Sequence, residues 1–122
     1  MKKLLFILLV LILTCNFVQA RYIQTSNIRF KSNNGYSKYY TVDVTFYSGN
    51  ELNNITKTYN YDNYGKYATV FWSQEQVSII KITSFLTCSS NFTKSCLNDL
   101  SNMQGIDQNN VYWEICTGTY CS

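Results

Sequence analysis

The chain contains no histidine and no proline, and only 14% of its 122 residues are charged. Without histidine the commonest general base is gone, and with it the Ser-His and Cys-His nucleophile pairs. Zinc loses its usual nitrogen ligand as well. Cys88, Cys96, Cys116 and Cys121 are separated by seven, nineteen and four residues, intervals that match no common zinc spacing. Carboxylates remain at Asp43, Glu51, Asp62, Glu75, Asp99, Asp107 and Glu114. A glycoside hydrolase needs two of them facing across a cleft, and nothing in the sequence brings two together. Asp107-Gln108-Asn109-Asn110 lacks the ligand count and the terminal bidentate Glu of a calcium loop, and reads as a solvated turn. The chain is therefore expected to be a non-enzyme without metal or cofactor.

A basic cluster is also missing. Lys2 and Lys3 belong to an N-terminal segment with the three parts of a secretory signal. Met1-Lys2-Lys3 is positive, Leu4 to Leu13 is an unbroken apolar run, and Thr14 to Ala20 is more polar, with small residues at −3 and −1 of Ala20–Arg21. The apolar run rises only about 15 Å as a helix, roughly half of a bilayer core, which argues against a membrane anchor. Lipidation at Cys15 is disfavoured because Thr14 stands where a smaller residue is wanted. Residues 1–20 thus read as a signal peptide and 21–122 as one secreted domain. The mature chain keeps eight Lys+Arg against seven Asp+Glu, a net charge of +1, and the basic residues are spread singly. Neither nucleic acid nor, after cleavage, a membrane is an expected partner.

In an exported chain four cysteines imply disulfides. If the strand ending at Thr87 pairs antiparallel with Val111 to Ile115, Cys88 and Cys116 lie at opposite ends and cannot bridge. Cys88–Cys96 with Cys116–Cys121 is then the local solution; Cys88–Cys121 with Cys96–Cys116 is the other. Asn54-Ile55-Thr56 and Asn91-Phe92-Thr93 are sequons for glycosylation at Asn54 and Asn91, expected on exposed loops.

What is abundant is β-forming sequence. Tyr22 to Lys31 alternates at Ile28 and Phe30. Asn33-Asn34-Gly35 is a turn signal. Tyr39 to Tyr47 puts Tyr40, Val42, Val44 and Phe46 on one face, the mark of a half-buried strand. Ser48-Gly49-Asn50 reads as a turn. Ile55 to Tyr61 and Lys66 to Trp72 read as a hairpin closed by Asp62 to Gly65. With that four-residue loop, Tyr59 and Tyr61 share the core face with Ala68, Val70 and Trp72, whereas Tyr67 and Phe71 point away and Tyr64 sits at the tip. Gln76 to Thr87 is a further strand, Ser95 to Met103 a short helix, Gly105 to Asn110 a polar loop, and Val111 to Cys116 a last strand. The expected fold is all-β: a small two-layer antiparallel β-sandwich of six to seven strands with one short helix. An immunoglobulin-like topology is admissible although the Cys…Trp…Cys spacing is missing. A small β-barrel is the alternative.

The only binding surface the sequence suggests is Tyr64, Tyr67 and Phe71, because exposed aromatic rings stack on sugars. Tyr is also a favoured strand residue, and a chain rich in Asn, Tyr, Ile and Lys but without Pro fits AT-rich codons, as in an AT-rich microbial eukaryote. The expectation is a secreted binding protein for carbohydrate or a cell-surface or matrix component. An extracellular structural or adhesive protein without a discrete site, and a secreted effector or inhibitor of another protein, are the alternatives. Expressed through a eukaryotic secretory pathway, the product should begin at Arg21 and lose mass on enzymatic glycan removal. An exported product that still begins at Met1 contradicts the signal assignment.

Overall fold

The computed structural model describes residues 22–73, 75–84 and 102–117. Among the described residues seven strands and one helix follow in order: β1 (Tyr22–Ser32), β2 (Gly35–Tyr36), β3 (Tyr40–Ser48), α1 (Gly49–Thr56), β4 (Lys66–Ser73), β5 (Gln76–Ile82), β6 (Met103–Asp107) and β7 (Tyr112–Cys116). All pairings are antiparallel, and β1 pairs with both β3 and β7, so β1-β3-β4-β5-β6-β7 closes into a six-stranded barrel. Closure supports the barrel, the alternative expectation; the sandwich, with its immunoglobulin-like topology, is not confirmed.

One strand makes the closure. Residues 22–28 of β1 pair with β3 (Tyr22↔Phe46 to Ile28↔Tyr40), and residues 27–31 pair on the other side with β7 (Asn27↔Cys116 to Lys31↔Tyr112). β2 is the start of the strand returning from β1, since Lys31 pairs with Tyr36 on the side away from Tyr112. Between β2 and β3 the register slips by one residue: Ser37 bonds Phe30, Tyr40 faces Ile28, and both Lys38 and Tyr39 stand opposite Arg29. Two residues opposing one is a β-bulge, which bends a strand and re-aims side chains. A second irregularity falls at Trp72, between Phe71↔Val77 and Ser73↔Gln76.

Period two decides what fills the barrel. Even positions of β1, β3, β4 and β5 and odd positions of β6 and β7 face inward, giving the core of Ile28, Val44, Phe46, Ala68, Val70, Ile80, Ile82, Met103, Trp113 and Ile115. Six strands enclose less room than the eight whose interior side chains just fill, so the interior is packed by side chains. At one end four aromatic rings close the mouth. Trp113 packs on Phe30 at 5.3 Å and on Trp72 at 5.9 Å, and Tyr40 meets Trp72 at 5.7 Å. The indole nitrogens find partners as buried polar groups must: Trp72 donates to Ser78 Oγ and Trp113 to Asp107 Oδ2.

Several sequence expectations are corrected. Ile55 to Tyr61 is not a strand: the chain is helical over Gly49–Thr56 and irregular over 57–65, and β4 pairs with β3 and β5 instead. The expected turn at Ser48-Gly49-Asn50 is the start of that helix, with Ser48 as its N-cap. Of the polar loop expected at Gly105 to Asn110, residues 105–107 belong to β6 and only 108–110 turn, because Met103, Gly105 and Asp107 face inward and the Asp107 carboxylate takes three bonds, from Trp113 Nε1, Asn109 N and Val111 N. The helix expected at Ser95 to Met103 lies mostly outside the described residues, but Met103 begins β6. β6 also separates β5 from β7, so these two run in the same direction rather than pairing. The geometric exclusion of a Cys88–Cys116 bridge therefore falls.

Gly105 pairs with Ile82 of β5 and leaves no room for a side chain. A Cβ there would stand 2.5 Å from Ile80 Cγ2 and 2.6 Å from the Lys81 carbonyl oxygen. Gly105→Ala is expected to destabilise the fold by about 1–3 kcal/mol, read as a lower urea midpoint. An unchanged midpoint contradicts this packing.

Candidate functional site

With the interior filled, any ligand must be met on the outside. Among the described residues the two most exposed large hydrophobic side chains lie on one loop, the segment 57–65 between α1 and β4. Tyr59 is 97% exposed and Tyr64 is 93% exposed.

This loop is held by a small second core. Ser48 caps α1 by accepting from Glu51 N at 3.1 Å, and Ser-x-x-Glu is the capping-box pattern. Eight residues cannot hold a helix alone, so packing must. Leu52 and Ile55, on one face, cover the outer surface of the barrel at Tyr47, Tyr67 and Ile79. Fully burying side chains of the size of Leu52 and Tyr67 stabilises by about 1.5–3 kcal/mol each. A crevice of about 10 Å³ under α1, lined among others by Leu52, Ile55, Phe71 and Val77, leaves room for at most about one water. Lys57 then takes a left-handed conformation (φ 59°) and ends the helix.

Asn53, buried on α1, fastens the loop to the helix. Its amide nitrogen donates to the Tyr61 carbonyl at 2.8 Å and to Asn63 Oδ1 at 2.9 Å, and its oxygen accepts from Tyr61 N at 2.9 Å. Asp62 N donates to the Tyr67 hydroxyl, Gly65 N to the Asp62 carbonyl, and Tyr64 N to Asp62 Oδ1. Gly49 permits the closest approach: a Cβ there would stand 1.6 Å from the Asp62 carbonyl oxygen. Lys81 lies 3.7 Å from Asp62 Oδ2, an exposed pair of little weight. Tyr61 packs edge-on against Tyr67 at 5.3 Å, and burial raises its pKa above the ordinary 10.0.

The sequence-expected residues separate accordingly. Tyr64 is exposed at the loop, as expected. Tyr67 is only 5% exposed, which corrects its assignment to an open face, and Phe71 is half-buried beneath α1. Both do point out of the barrel, but outside the barrel here means under a helix. Tyr59, expected in the core, is the most exposed of the described tyrosines instead, and Tyr61 is half-buried. Asn54 is exposed, on α1 rather than on a loop. Cys116 ends β7 and is buried. Ala20, Arg21, Cys88, Asn91, Cys96 and Cys121 lie outside the described residues. The signal that reveals α1 is Ser48-Gly49-Asn50-Glu51 followed by Leu52 and Ile55 three apart.

No protein-family model matches this chain, and no curated protein or solved structure is detectably similar to it. Among the described residues no helix is long and apolar enough to cross a membrane, and no three His, Cys, Asp or Glu side chains group as metal ligands.

Asn53→Ala removes two bonds to the loop backbone and one to Asn63. It should cost about 2–3 kcal/mol of stability and speed amide exchange at Tyr61 well beyond that in β1 and β7. Uniform loss of protection across the molecule contradicts a bracing role.

Proposed function

We propose that the protein is a secreted, non-catalytic binding protein that recognises an extracellular carbohydrate or cell-surface component through the loop 57–65. The observation that carries this reading is the exposure of two whole tyrosine rings, Tyr59 and Tyr64, on a backbone pinned by Asn53, Asp62 and Tyr67. A fully exposed ring contributes little to folding. A fixed loop loses little entropy when a ligand docks, so its contacts convert to affinity more completely. Asn60 and Asn63, exposed and next in sequence to the two tyrosines, supply the Asn60 amide and the Asn63 side-chain nitrogen for hydroxyl recognition, the Asn63 oxygen being held by Asn53. Aromatic area with neighbouring amides is the chemistry a sugar ring requires. Secretion rests on the N-terminal signal pattern, and the disulfides on the cysteine count in an exported chain.

The same bracing favours a second reading, a secreted inhibitor or effector. Rings exposed on both faces, as Tyr59 and Tyr64 are, can be enclosed completely only by a concave protein surface, and tyrosine is a frequent anchor at such interfaces.

A glycan array separates the two. The wild-type protein is expected to bind a definable set of glycans, and Tyr59→Ala and Tyr64→Ala each to reduce binding at least about tenfold. Both substitutions should leave the unfolding free energy within about 0.5 kcal/mol, because neither ring is packed. Binding to no glycan, or binding that neither substitution affects, overturns the carbohydrate reading.

A further inference from the structure

A second constellation stands toward the other end of the barrel, where the four rings close the mouth. Arg29 is an outward residue of β1, directly opposite Glu114 of β7 across the seam that closes the sheet. Its Nε donates to Glu114 Oε1 at 2.7 Å. Its guanidinium carbon lies 4.0 Å from the centre of the Tyr36 ring and 4.8 Å from that of Tyr39. Lys31, two residues on along the same face, holds its Nζ 5.8 Å from the Tyr36 ring.

Each contact follows from the backbone. Tyr36 faces Lys31 in the β1–β2 pairing and therefore lies diagonal to Arg29. Tyr39 reaches Arg29 because the bulge sets Lys38 and Tyr39 together opposite it. Glu114 is mostly buried, and its charge fixes the guanidinium through one edge. That leaves the other edge. The two terminal nitrogens of Arg29 hydrogen-bond to no other described residue, and Tyr36 and Tyr39 remain exposed around them.

We infer that Arg29, clasped by Tyr36 and Tyr39 and oriented by Glu114, is a binding subsite for an oxyanion group, a carboxylate or a sulfate, carried by an extracellular ligand. A guanidinium fork donates two parallel N–H bonds to such a group, which a point charge cannot do. Most of the ordering is done before the ligand arrives, because a stacked and ion-paired arginine has few rotamers left. Arg29 and Lys31 outweigh Glu114 by one positive charge, so the local sign suits an anion. This subsite does not depend on the loop 57–65, which lies near the start of β4 at the opposite end.

The test is an NMR titration of the whole mature protein, observing the Arg29 Nε–Hε signal with sodium sulfate, sodium acetate and sodium glucuronate as probes. Saturable shifts of that signal with sulfate and acetate are expected. Tighter binding of glucuronate than of acetate identifies an acidic sugar as the source of the anion; equal binding identifies a simple anion. Arg29→Lys, which keeps the charge facing Glu114, should weaken each probe by at least about tenfold while the remaining amide spectrum stays folded. Should that variant fail to fold, the wild-type Nε–Hε shift still decides. No saturable shift there, or equal binding by a folded Arg29→Lys protein, overturns the inference.

Discussion

The constraint on which the rest depends is the double pairing of β1. Ile28 has Tyr40 on one side and Ile115 on the other, and Lys31 has Tyr36 and Tyr112. An eleven-residue strand with staggered partners turns an antiparallel sheet into a closed one and removes its free edges. Closure then assigns every side chain of the six strands to one of two environments. The inside is filled by buried hydrophobic residues, ten of them among the described residues, and one mouth is closed by Phe30, Tyr40, Trp72 and Trp113. Whatever the protein recognises must therefore be read by groups on the outside.

Two outer regions differ in how they are built. Near the start of β4 the outside is covered: α1 buries Leu52 against Tyr47 and Tyr67, and the loop that follows is tied down by Asn53. There the sheet supplies a foundation, and the rings of Tyr59 and Tyr64 are presented above it. Along the β1–β7 seam no helix among the described residues covers the outside. The sheet itself presents the side chains, and a one-residue bulge brings Tyr39 over Arg29. The first region offers aromatic area on a fixed loop, the second a fixed charge between aromatic rings. In both, side chains are held in place by contacts within the protein itself.

The strands with period-two alternation were legible from residue types alone. β1 and β3 follow the alternation of Ile28 and Phe30 and of Tyr40 to Phe46, and β7 follows Val111, Trp113 and Ile115. Two segments were not. In 49–65 a run of Ile, Thr and Tyr carries β propensity, but the cap at Ser48 and the burial of Leu52 and Ile55 on Tyr67 outweigh it, as tertiary packing commonly does. In β6 the inward positions are Met103, Gly105 and Asp107. Glycine and aspartate suggest a loop until Trp113 is seen to donate to the aspartate and Ile80 to need the space beside the glycine. Tyr67 and Phe71 point outward, as their parity predicts, but neither is open: the cap at Ser48 and the spacing of Leu52 and Ile55 signal a helix without showing which surface it covers, and it covers theirs. The Arg29 cluster was illegible for a similar reason: Arg29, Tyr36, Tyr39 and Glu114 meet only once β1 and β7 close the sheet.

Closure is thus the claim to measure first, and backbone NMR reads it directly. In the mature protein, inter-strand NOEs between β1 and β7 are expected in the register Asn27↔Cys116 to Lys31↔Tyr112, together with NOEs between β1 and β3 from Tyr22↔Phe46 to Ile28↔Tyr40. Slow amide exchange should extend along both strands. Cross-strand NOEs from β1 to β3 with none to β7, and rapid exchange along β7, would show an open sheet and contradict the account.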